Sequence, residues 1–194
     1  MDVRQTSVRT DPARERILTT AYELFSRRGI RDVGIGEVVE RASIAKATLY
    51  RHFPSKNDLV LAFLDRRERV WTRQTLEAGA RRRGTTAERQ LLALFDVLDD
   101  WFHRPDFESC SFINVLLEMR PTHPAGQAAI DHLNEVRGVV KELAGEAGLR
   151  EVDSFATAWH LLMNGSIVSA AAGDTDAAQP AKELARVLIE QHRG

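Results

Sequence analysis

The sequence predicts an all-α protein of about nine helices, a small N-terminal helix-turn-helix domain followed by a larger helical domain. Three observations carry this. Apolar residues recur at helical spacing, as in Ile17, Ala21, Leu24 and Phe25. No alternating run rich in Val, Ile or Thr appears, and no Asn-Gly hairpin turn. Proline and glycine fall between the periodic segments, at Pro12, Gly29, Pro54, Pro124 and Gly148.

The elements follow in order. Residues 1–10 read as a disordered arm. Asp11 is placed to cap a first helix that opens on Pro12 and ends at Gly29. A second, short helix spans 35–41 and carries Val38 and Val39. The turn "ASIA" leads to a third helix over 46–53, stopped by Pro54. Ser55 begins a fourth helix, with Asp58 reaching back to it as in a capping box. That helix is expected to run unbroken over 56–82, with Leu59, Phe63, Val70 and Trp71 inside. The run "ARRRG" then marks a boundary. The division is therefore a helix-turn-helix domain at 11–54, a connecting helix at 55–83, and a second domain at 84–194.

In the second domain Thr85 is placed as the cap of a fifth helix through Trp101 and Phe102, with Glu88 at its third position. Further helices are expected at 110–119, 124–147, 153–172 and 177–191. The helix at 153–172 is apolar on nearly every side and ends in small residues, which permit close approach of another helix. The last carries Leu184, Val187, Leu188 and Ile189.

Bulk properties narrow the function. The chain has 194 residues, 43% of them hydrophobic, enough for a substantial core. Cys110 is the single cysteine, so no internal disulfide forms, which fits a reducing cytoplasm. No run of about 18 apolar residues occurs, so no membrane span is expected. The first sixteen residues are polar, unlike a secretory signal. Net charge is −1 but unevenly distributed. Residues 1–83 hold 18 Lys and Arg against 11 Asp and Glu, a balance of +7; the remainder balances at −8. The first part is thus the one suited to a polyanion. No Ser/His/Asp order, Gly-rich phosphate loop or H-E-x-x-H stands in the sequence, so neither an enzyme nor a cofactor is expected.

The stretch "SIAKATLYRHFPSK" (43–56) gathers the candidate DNA-reading residues Ser43, Lys46, Ala47, Thr48, Tyr50, Arg51, His52 and Lys56. The second helix of such a pair inserts into the major groove with its N-terminal residues at base edges. Lys46 and Thr48 stand near that start. Tyr50 and His52 are placed to donate to phosphate oxygens, and Lys56 opens the next helix, where phosphate is favoured. Leu49 and Phe53 fall on the opposite side, as anchors. Each residue taken singly also suits an ordinary solvated helix; the two-helix spacing and the basic first third decide for double-stranded DNA.

Residues 17–64 strongly resemble the TetR family of bacterial transcriptional regulators. The family's segment T-L-Y-x-H-F-x-S-K is matched by Thr48, Leu49, Tyr50, His52, Phe53, Ser55 and Lys56. The resemblance implies a homodimer whose N-terminal domains read a palindromic operator. It also implies that a small-molecule effector binds the variable C-terminal domain, at 84–194, and releases DNA. The expected function is therefore a ligand-responsive repressor, with an activator or ligand-independent regulator as the alternative. Three positions depart from the pattern. Val33 and Gly34 stand where a Thr or Ser usually caps the second helix. Ser43 stands where the turn usually has Gly, at a cost of about 1 kcal/mol if left-handed. Ala45 replaces the usual Ser cap, for about another 1 kcal/mol.

The effector domain is less specific. Cys110, Asn114, Leu117 and Glu118 share one helical face. With Trp71, Trp101, Phe102, Phe112, Trp159 and Met163, the residues Cys110, Asn114 and Glu118 make up the candidate effector site, apolar with a few polar anchors. For each aromatic taken singly, simple core packing is the commoner role. Glu118, His123 and His160 have no tight metal-ligand spacing. The last two helices are expected to pair the subunits as a four-helix bundle.

Overall fold

The computed structural model describes residues 11–194, so the expected N-terminal arm lies outside the described residues. All elements among the described residues are helical: α1 Pro12–Arg28, α2 Ile35–Arg41, α3 Lys46–His52, α4 Lys56–Arg67, a π-helical stretch Glu68–Glu77, α5 Ala78–Arg83, α6 Ala87–Phe102, α7 Ser111–Met119, α8 Pro124–Glu146, α9 Val152–Ala171 and α10 Ala178–His192. The chain forms two compact units, dividing between Phe63 and Leu64. The division falls inside the helix expected, from sequence, to be a connector at 55–83.

In the first unit, Asp11 caps α1 by accepting from the Ala13 N–H at 2.8 Å, and Gly29 ends it at φ 80°. Ile17, Leu18, Ala21, Leu24 and Phe25 form its buried face. α2 and α3 pack against α1 and each other. Arg28 ties the end of α1 to α2, donating to Glu37 at 2.6 Å and to the Asp32 carbonyl at 2.7 Å. Val33, where a capping hydroxyl was the family pattern, is fully buried; Gly34 caps α2 without a side-chain bond. Phe63 meets the rings of Tyr22 and Phe25 edge-on at 5.5 and 5.6 Å.

In the second unit α6 is the central element, packed against α5, α8, α9 and α10. It buries Leu91, Leu94, Phe95, Leu98, Trp101 and Phe102. Its cap is Thr86 rather than Thr85: the Thr86 hydroxyl accepts from the Arg89 N–H, while Thr85 takes the Arg89 guanidinium. Either threonine satisfies the sequence signature, and the pairing partner decides between them. The expected unbroken α-helix over 56–82 also differs. Across Glu68–Glu77 the helix widens to π geometry, which brings residues five apart into register. Arg73 donates to Glu68 at 2.8 Å, and the Thr75 hydroxyl to the Val70 carbonyl at 2.8 Å. The wider turn moves the inward face off the 3.6-residue period, so Val70, expected inside, is 41% exposed, while Trp71, Thr72 and Leu76 are buried.

At the turn before α8, Gly126 is required. A Cβ there would lie 1.9 Å from the Arg120 carbonyl oxygen. His123 closes the same turn, its Nδ1 accepting from the Ala125 N–H at 3.1 Å.

Candidate functional site

α3 has two distinct sides. Leu49 and the adjoining Phe53 are buried, while Lys46, Ala47, Tyr50 and Arg51 are exposed, Tyr50 by 41%. The Lys46 ammonium lies 5.9 Å from the Tyr50 ring centroid, so cation and phenol share one surface. Thr48 is half-buried on the flank.

The backbone around α3 carries the anticipated departures. Ser43 is left-handed at φ 50°, and Ala45 caps α3 with no side-chain bond. After Phe53, the Ser55 N–H donates to Asp58 Oδ2 at 2.9 Å and the Asp58 N–H to the Ser55 hydroxyl at 3.2 Å. This reciprocal box starts α4 and fixes where Lys56, half-buried, leaves the turn.

His52 is placed differently from its neighbours. Its Nε2 lies 3.5 Å from Asp11 Oδ2, and its side chain is largely covered. Asp11 is held below the usual carboxylate range by the Ala13 N–H it accepts from, with smaller help from His52 and Arg51. His52 therefore joins the end of α3 to the start of α1, whereas Lys46, Tyr50 and Arg51 face outward.

The candidate effector residues are distributed over three environments. Trp71 and Trp101 pack with ring centroids 4.1 Å apart at an interplanar tilt of 42°, with the Arg67 guanidinium 5.4 and 5.7 Å from the two rings. Phe102 joins this group through Trp101 and Phe107. Trp159 belongs to another cluster, against Phe95 and Phe155, and its buried Nε1 has no acceptor among the described residues. Met163, Phe112 and Cys110 are buried, Phe112 against the His132 ring. Asn114 is exposed and Glu118 half-buried, on the outer flank of α7.

Of these residues Trp71 and Trp101 line an open cleft, of about 180 Å3, with Thr75, Gly79, Arg82 and Arg83 on one wall and Val97, Asp100 and Arg104 on the other. Sequence reasoning missed the last seven. The "ARRRG" run was visible in the sequence but reads there as a helix end and domain boundary.

Burial pushes the Cys110 thiol up, opposed first by the Ile113 backbone N–H and then by Arg67; a buried, protonated thiol behaves as a small apolar filler. His160 is driven down to about 4 by burial and then by the nearby Arg137. Among the described residues no three His, Cys, Asp or Glu side chains gather as a metal site, and none of the helices is long and apolar enough to cross a membrane.

Residues 17–63 match the family model described as bacterial regulatory proteins, tetR family. The HTH-type transcriptional activator FasR of Mycolicibacterium smegmatis is 38% identical over 96 residues, which is 46% of this chain and 42% of FasR. The chain thus matches less than half the length of that relative. A TetR-family transcriptional regulator from Streptomyces coelicolor superposes with a TM-score of 0.84 at 30% identity, over 93% of this chain and 95% of that one. A regulator structure from Streptomyces avermitilis has the same fold, with a TM-score of 0.83 at 23% identity over 94% and 98% of the two chains. The chain belongs to the TetR family of bacterial regulatory proteins, and the helix-turn-helix of its first unit is the family's DNA-binding element.

Proposed function

We propose that this protein is a cytoplasmic, ligand-responsive repressor that binds a palindromic operator as a homodimer and is released by a small-molecule effector. The observation that carries the reading is the two-sided α3. Leu49 and Phe53 hold it from behind, and Lys46, Thr48, Tyr50 and Arg51 present donors on its outer side, with Ser43, Ala47, His52 and Lys56 around them. Donors on a rigid short helix suit base edges and phosphates together.

Homodimerisation is assigned to α9 and α10. Leu161 and Val168 stand seven apart on α9 and are exposed; Leu184 and Val187 do the same three apart on α10. Exposed apolar side chains at helical spacing on both helices suit an interface, and two helices from each subunit make an isologous bundle. Two α3 helices then meet successive half-sites.

The effector site is assigned to the second unit. Trp71, Trp101 and Phe102 form its aromatic part; Cys110, Phe112, Asn114, Glu118, Trp159 and Met163 complete the candidate set. A ligand that favours one separation of the two α3 helices over another changes operator affinity by its differential affinity for the two states. In vitro transcription from a promoter carrying the selected operator tests the sign. Repression reversed by effector is the expected result. Stimulation by the protein alone would establish the activator reading instead, which the FasR resemblance supports, that relative being an activator.

A further inference from the structure

The cleft between the π-helical stretch with α5 and the facing side of α6 has a chemistry of its own. Its floor is the Trp71–Trp101 pair with Val97, and its mouth carries Arg82, Arg83 and Arg104 against one carboxylate, Asp100. Two of these guanidinium groups are committed. Arg83 pairs with Asp100, and Arg104 makes two bonds to Asp106, at 2.8 and 2.7 Å. Arg82 has no ion-pair partner among the described residues, and its Nη2 reaches back to 4.0 Å from where a Cβ on Gly79 would stand. Gly79 itself lets the wall close, because a Cβ there would meet the Val97 methyl at 2.9 Å.

Each property selects for the occupant. Indole rings favour a flat apolar body in offset or edge contact. With Arg83 and Arg104 paired to Asp100 and Asp106, the remaining cation of the mouth is Arg82, which favours negative charge and disfavours an amine. A planar guanidinium matches a carboxylate in a two-point bond. The volume, about 180 Å3, lies below the roughly 300–1,000 Å3 of drug-sized sites and suits a single ring. We propose that this cleft binds a one-ring aromatic carboxylate, the ring on Trp71 and Trp101 and the carboxylate on Arg82. The proposal deepens the effector assignment and rests on it only for the consequence on DNA.

The test uses the full chain and three probes: benzoate, benzamide (same ring, no charge) and acetate (same charge, no ring). Calorimetry is expected to give benzoate at least about ten-fold tighter binding than either control. The three tryptophans supply a local readout. The indole N–H signals of Trp71 and Trp101 should shift on titration, while that of Trp159, in the separate Phe95–Phe155 cluster, should stay. Arg82 is exposed, so Arg82→Gln should fold normally. It should weaken benzoate about ten-fold and leave benzamide unchanged, with Arg82→Lys recovering part of the loss. Equal affinity for benzoate and benzamide, insensitivity to Arg82→Gln, or no binding at millimolar concentration overturns the proposal and leaves DNA binding untouched. Arg82-dependent benzoate binding that leaves operator affinity unchanged supports the anion site and overturns the effector role of this cleft.

Discussion

Leu49 and Tyr50 are adjacent in α3 and sit in opposite environments: Leu49 is fully buried, while Tyr50 is 41% exposed. The two substitutions should therefore separate folding from binding. Leu49→Ala should cost about 2–5 kcal/mol of stability by leaving a cavity. Tyr50→Ala should leave the melting temperature nearly unchanged and weaken operator binding. Thermal denaturation beside a DNA titration reads both.

The backbone before α3 is open to improvement. Ser43→Gly removes a left-handed non-glycine residue, and Ala45→Ser adds the missing cap hydroxyl. Each should raise stability by about 1 kcal/mol, as measured by urea denaturation. No gain from Ser43→Gly would mean that its conformation carries no strain.

Gly126→Ala should be severely destabilising. Its methyl would fall on the Arg120 carbonyl oxygen, which is backbone and part of the turn that starts α8. A loss above about 2 kcal/mol, or failure to accumulate folded protein, is expected. Gly138→Ala in the same helix, with nothing within 4 Å, is the control and should be neutral or slightly stabilising.

His160 gives the second unit a pH dependence. Its folded value is about 4 against the ordinary 6.5, because the buried ring resists charging beside Arg137. Between those values the unfolded chain binds the proton and the folded chain does not. Stability is therefore intact above about pH 6.5 and falls as pH drops toward 4, by at most about 3 kcal/mol. His160→Gln should flatten that part of the stability profile. An unchanged profile would place the titration on another group.

The association surface makes a further prediction. Leu161→Glu with Leu184→Glu should convert a dimer to a monomer in sedimentation equilibrium, while helix content stays constant, because both side chains are exposed. A monomeric wild type would refute the pairing through α9 and α10.

Much of the fold was legible because local signals and packing agree. Asp11-Pro12, Gly29 and the Ser55–Asp58 box each mark a helix end by hydrogen bonding within four residues. The α3 motif was legible for the same reason, since its buried and exposed positions are neighbours in sequence. Two kinds of feature were not. The π geometry at Glu68–Glu77 turns Val70 outward, although its spacing places it inside an ordinary α-helix. The cleft at Trp71 and Trp101 joins α5 and α6 side chains whose facing depends on Gly79 meeting Val97, a long-range approach that no periodicity records. Likewise His52 read as a phosphate donor, and only the folded chain reveals Asp11 beside it.

On this assignment α3 reads DNA as one of a symmetric pair. The most direct test is selection of binding sites from random duplex DNA, followed by titration of the selected site across a salt series with wild type, Lys46→Ala and Tyr50→Ala. The expected result is a two-fold-symmetric site with half-sites about one helical turn apart. Also expected is a salt dependence whose slope shrinks in Lys46→Ala, by roughly one for each phosphate that the lysine no longer neutralises. Selection of no symmetric site, or affinity and slope unchanged in both variants, would contradict the assignment.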